Sequence, residues 1–144
     1  MHMRALATCC LTVMLASCGS KWGKELVKDM PYGKATIHHS AAVDDATAAK
    51  VFAAMTEGAY NFASNLPEQI DRSNGRLVLR LGNDNENSIA AIVKDGEKDP
   101  GILYFEGLAN HVSQAIGGES VDIVLCRKSL DEPFHTVAWK PSAK

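Results

Sequence analysis

The stretch Arg76-Leu77-Val78-Leu79-Arg80-Leu81 (RLVLRL) alternates without a break. Successive side chains on an extended chain point to opposite faces. Leu77, Leu79 and Leu81 therefore line one face and Arg76, Val78 and Arg80 the other, which predicts a strand with one side buried. A sheet with one apolar face needs a layer to cover it, which helices with one apolar stripe supply.

Two such stripes are present. Ala48, Phe52, Met55, Ala59 and Phe62 recur at steps of 4, 3, 4 and 3, predicting a helix from about 45 to 62. Asp44 or Asp45 serves as its N-cap, where an acid also suits the helix dipole. Downstream, Asp99-Pro100 opens a second helix, Asp as the cap and Pro at the first helical position. Ile102, Phe105, Ala109, Val112 and Ile116 form its stripe, and Gly117-Gly118 ends it.

The remaining segments read as strands or turns. Ala35 to Ser40 (ATIHHS) is a short strand, and Ser64 to Gly75, with Pro67 and Asn74-Gly75, is a loop. Gly82 to Asn87 (GNDNEN) is a polar turn leading into Ser88 to Val93 (SIAAIV) as a strand, and Lys94 to Asp99 is a charged loop. Val121 to Cys126 (VDIVLC) and His135 to Trp139 (HTVAW) complete the set. The expected order is β-α-β-β-α-β-β: an α+β two-layer sandwich with two helices on one face of a mostly antiparallel sheet, the split β-α-β, ferredoxin-like arrangement.

From about residue 88 onward the chain resembles a type of small uncharacterised bacterial α+β domain. The residues that carry the likeness are the charged loop Lys94 to Asp99, Phe105 near the helix start, Gly117, Gly118 and Val121 to Cys126. The resemblance implies the fold and carries no catalytic residue across.

The N-terminus carries an address. Arg4 precedes an almost wholly apolar run from Ala5 to Ala16. This is shorter than the ~20 residues needed to span a bilayer and has the layout of a secretory signal. The run closes in Leu15-Ala16-Ser17-Cys18, followed by Gly19-Ser20. These residues resemble the lipobox of bacterial lipoproteins. The resemblance implies cleavage before Cys18 and a diacylglyceryl (palmitate-type) modification on that cysteine. Gly19, in place of Asp after the cysteine, points to the outer membrane, facing the periplasm. The expected divisions are a signal peptide over 1–17, a lipidated N-terminus and tether over 18–34, the α+β domain over 35–140 and a tail over 141–144. Gly19, Gly23, Pro31 and Gly33 discourage a stable element in the tether, a solvated linker that extends roughly 50 Å. The competing reading lays Trp22 and the lysines 21, 24, 28 and 34 on anionic headgroups.

Removing 17 of the 144 residues leaves 127, enough for one core. The mature part has 14 basic and 17 acidic residues, a net charge of −3, which argues against nucleic acid as a partner. Cys9 and Cys10 leave with the signal and Cys18 takes lipid, so Cys126 is a lone thiol with no intrachain disulfide partner.

No spacing of catalytic or metal-binding type stands out. His38 and His39 are adjacent on a strand and face opposite ways, and HExxH, HxH and CxxC are absent. Asn83 to Asn87 has the acids of a calcium loop but lacks its Gly and its bidentate Glu. No cofactor or metal is expected. The candidate site is an interaction face opposite the helices, carrying His38, Arg76, Val78, Arg80, Ile92, Val124 and Cys126. It is apolar enough at its centre to take an envelope protein partner, a second copy or the chain's own last strand, or to be covered by tail residues such as Trp139. The expected function is a membrane-anchored envelope lipoprotein with a non-catalytic protein-interaction or envelope-maintenance domain. The alternative is a small periplasmic enzyme or metal-binding protein using His38 and His135, with Cys126 or Asp122.

Overall fold

The computed structural model describes residues 21–58, 60, 62 and 66–141. The signal segment, Cys18 and residues 142–144 lie outside the described residues. Among the described residues six strands form one mixed sheet: β1 (Lys24–Met30), β2 (Gly33–His39), β3 (Glu68–Ser73), β4 (Arg76–Gly82), β5 (Val121–Cys126) and β6 (Pro133–Val137). The helices of the described residues are α1 (Asp45–Glu57), α2 (Glu86–Asp95) and α3 (Pro100–Ala115), with a short 3-10 turn at Gly96–Lys98.

The strands lie in sequence order, β1 to β6. The pairs β1–β2, β3–β4 and β5–β6 are antiparallel, and β2–β3 and β4–β5 are parallel. The sheet is thus three antiparallel pairs laid side by side, joined by helical crossovers through α1 and through α2 and α3. The fold class is α+β, as expected, but the arrangement differs. The parallel strands of each crossover are direct neighbours, so nothing splits them as in the ferredoxin-like arrangement. The observed order is β-β-α-β-β-α-α-β-β.

Three local readings account for the difference. Residues 24–30, read as tether, form β1, because Leu26 and Met30 pack against the core from the pleat face shared with Ile37 and Ala35. Pro31 and Tyr32 make the turn, and Gly33 takes the positive φ of 134° that closes it. Residues 68–73, read as loop, form β3. Asn74 and Gly75 have φ of 52° and 76°, the two positive values a two-residue type I′ hairpin turn requires. Residues 88–93, read as a strand, belong to α2. Asn85 Oδ1 accepts the backbone N–H of Ser88 at 3.0 Å, capping a helix whose Ile89 and Ile92 lie three residues apart on its buried side. A six-residue apolar run satisfies strand and helix patterns alike, and the cap decided between them.

The other helix signals hold. Asp44 Oδ1 accepts from Thr47 N at 2.8 Å, and Asp99 Oδ1 from Gly101 N at 2.8 Å, with Pro100 at the first helical position. Helix α1 stops at Glu57, short of 62; Ala59 lies outside the described residues, and Phe62 reaches the core from outside the helix. Gly118 N bonds back to Ser113 O at 2.8 Å beyond α3. The last strand starts at Pro133 instead of His135 and ends before Trp139.

One core holds these parts together. Ala35, Ile37, Ile70, Leu77, Leu79, Leu81, Val121, Ile123 and Leu125 from the sheet meet Val51, Phe52 and Met55 of α1 and Ile102, Ala109 and Val112 of α3. Register explains the alignment: Ile70 pairs Leu79, which pairs Ile123, so the apolar positions of β3, β4 and β5 share a face. Burying such side chains stabilises by about 1.5–3 kcal/mol each against full exposure.

Candidate functional site

The face opposite the helices carries a row running Glu25, His38, Gln69, Arg80, Val124 and Thr136 across the six strands. A neighbouring row sets Asp71, Val78 and Asp122 side by side. Six of the seven expected interaction residues therefore share this face: His38, Arg76, Val78, Arg80, Val124 and Cys126. The seventh, Ile92, does not. It is 3% exposed, on α2 and in the core of the other face, because its segment is helical.

This face is not an open apolar patch. Val78 is 4% exposed and Cys126 is fully buried. Two arginine–aspartate pairs lie within its centre. Arg76 makes two 2.8 Å bonds to Asp122, and Arg80 Nε lies 3.6 Å from Asp71, which also accepts from Ser40 Oγ at 2.5 Å. Hydrogen bonding from Arg76 holds the Asp122 carboxyl below its usual range. The cover comes from two places the sequence did not suggest. Gln69 Nε2 donates to the carbonyl of Trp22 at 2.8 Å, and Lys21 pairs with Asp131 of the turn over residues 127–132. A polar cleft of about 460 Å³ remains, floored by Gln69, Asp71 and Arg80 and walled by Trp22 and Leu130. Trp139 does not cover this face. It packs against the core, and its amide donates to Asp122 Oδ1 at 2.9 Å.

His38 and His135 do not meet. They sit on β2 and β6 with three strands between them, so roughly 19 Å separates the strand axes. His39 points to the helix side, where Nδ1 donates to the Val43 carbonyl at 3.1 Å. Cys126 is buried beside the Leu130 carbonyl, Sγ to O 3.6 Å, and burial pushes its thiol up to about 11. A thiol in that state is not a nucleophile near neutral pH. Among the described residues no group of three or more His, Cys, Asp or Glu is placed to hold a metal ion.

The helix layer carries features that sequence reasoning missed. Glu68, at the start of β3, is 2% exposed, and its Oε1 accepts the hydroxyl of Tyr60. Its Oε2 has no hydrogen-bond partner among the described residues. Burial raises this carboxyl to about 8, against a smaller lowering from the Tyr60 hydrogen bond, and burial raises the Tyr60 phenol as well. Tyr60 stacks on Tyr104 at 6.5 Å and meets Phe62 edge-on at 4.9 Å. Beside this cluster lies an apolar groove of about 350 Å³ between the end of α1 and α3, lined by Tyr60, Leu103, Tyr104, Leu108 and His111. His111 Nε2 donates to the Ala54 carbonyl at 3.0 Å, tying the two helices. The signal for Glu68 was Asn74-Gly75 just before the alternating run 76–81, a hairpin turn that makes 68–73 the partner strand and sets Glu68 in phase with Ile70.

Among the described residues no helix is long and apolar enough to cross a membrane. No protein-family model matches the chain, and neither a curated protein nor a solved structure does.

Proposed function

We propose that this is a bacterial envelope lipoprotein, held to the outer membrane through acylated Cys18 and facing the periplasm. Its α+β domain acts by binding or by maintaining the envelope, not by catalysis. The observation that carries the reading is Leu15-Ala16-Ser17-Cys18 at the end of a short apolar run. Each buried acyl methylene contributes about 0.8 kcal/mol, so two or more chains anchor durably. The non-catalytic part draws on the character of the domain's polar groups. The two arginines at the centre of the sheet face are held in ion pairs, and the lone thiol is buried with its acidity weakened.

One observation favours chemistry, the raised acidity constant of Glu68. That carboxyl is 2% exposed and faces a phenol, an arrangement that suits a structural carboxyl better than one meeting substrate. The test compares wild type with Cys18→Ala by membrane fractionation and intact mass. The expected result is an acylated, membrane-bound chain starting at Cys18 and a soluble or unprocessed variant. Equal behaviour of the two, with no acyl mass, overturns the proposal.

A further inference from the structure

From the sequence, a lipidated N-terminus and flexible tether are expected over 18–34. The fold leaves no such linker. Residues 24–30 are strand β1 in full register with β2, from Lys24 opposite His39 to Met30 opposite Gly33. Gly23 turns the chain into that strand at a φ of 108°, so close to β2 that a Cβ there would stand 2.2 Å from the His39 carbonyl oxygen. Trp22 is held through its carbonyl by the buried side chain of Gln69, and Lys21 pairs with Asp131. The chain is thus fixed from Lys21 onward, on the sheet face away from the helices.

We infer that the acylated domain rests directly on the bilayer, with the corner formed by Lys21, Trp22 and the 127–132 turn against the lipid headgroups and the helix layer turned outward. This deepens the lipoprotein reading and rests on it. Three residue steps from Cys18 to Lys21 reach at most ~11 Å. A domain of this size is about 35 Å across. So short a leash, ending on the sheet face, cannot bring the helix side to the membrane. Lys21 is largely exposed despite its partner, and its ammonium stands 4.6 Å over the Trp22 ring. A half-buried tryptophan and a cation at one corner suit the headgroup level of a bilayer. The groove lined by Tyr104 and His111, on the helix layer, then faces the periplasmic space.

The test is lysine acetylation, read by peptide mass, on the full lipidated protein in phosphatidylethanolamine–phosphatidylglycerol vesicles. The reference is the same protein with about twenty Gly/Ser residues inserted after Ser20, which add roughly 25 Å of mean reach. Intact mass is measured first. Lys21 and Lys128 are expected to react several-fold more slowly in the native protein than in the long-linker form. Lys50 on α1 and Lys94 on α2 should react equally in both. If the acyl mass is present and Lys128 reacts alike in both proteins, or Lys50 is the protected residue, the orientation is wrong and the anchor stands. If no acyl mass is found, anchor and orientation fall together.

Discussion

The hydroxyl of Tyr60 donates to Oε1 of Glu68, eight residues along the chain, and places a phenol over a carboxyl at the sheet's end. Glu68 pairs with Leu81 across β3 and β4, so it occupies a position that the pleat assigns to the core. A buried carboxyl with one neutral donor is easier to keep protonated than ionised.

Stability should therefore fall as pH rises through the neutral range. The Glu68 carboxyl titrates near 4.5 when unfolded and about 8 in the fold, so between these values the native state holds a proton the unfolded chain has lost. The contribution is fully present below pH 4.5 and declines up to about pH 8, on the order of 5 kcal/mol in total. Glu68→Gln keeps the shape and removes the titration. Urea unfolding from pH 5 to pH 8.5 should give a wild-type slope that the variant lacks, with the variant the more stable of the two at the alkaline end. Parallel profiles for the two proteins would mean that Glu68 is not held protonated.

Gly23 and Gly33 both have positive φ, yet substitution should separate them. At Gly23 an added Cβ collides with the His39 backbone and shifts the entry into β1. At Gly33 nothing lies within 4 Å, and only the backbone conformation resists. Gly33→Ala is expected to cost about 1 kcal/mol and Gly23→Ala at least ~3 kcal/mol by denaturant unfolding. Equal costs would show that residues 21–23 are not packed on the sheet.

Cys126 should be silent in the native protein. Its side chain is fully buried and its thiol is raised to about 11. Ellman's reagent at neutral pH is expected to label it only as fast as the domain unfolds, and labelling should become immediate in denaturing urea. Rapid native labelling would place the thiol at the surface and reopen the sheet face as a reactive one.

Much of the architecture was legible because some signals are local. Asp44 and Asp99 declare their helices through side chains that bond to amides two or three residues away. RLVLRL and VDIVLC declare their strands by alternation alone. The lipobox reading is local too, resting on four consecutive residues and the apolar run before them.

The rest depended on what each segment meets across space. SIAAIV carries no period that separates six residues of strand from two turns of helix, and the Asn85 cap with the space above the sheet made it α2. KELVKDM looks like a polar linker until β2 offers its edge, so that Leu26 and Met30 have a core to enter. His38 and His135 were candidates for one site on paper, and the sequential strand order put three strands between them. Glu68 and Tyr60 were missed because neither is unusual in its own stretch; only folding removes the water around that carboxyl. The sequence by itself determined the helix caps and the alternating strands, since each is written within a few residues. Only the tertiary structure decided the strand order, the pinning of residues 21–23 and the buried carboxyl, since pairing and desolvation exist only between segments brought together.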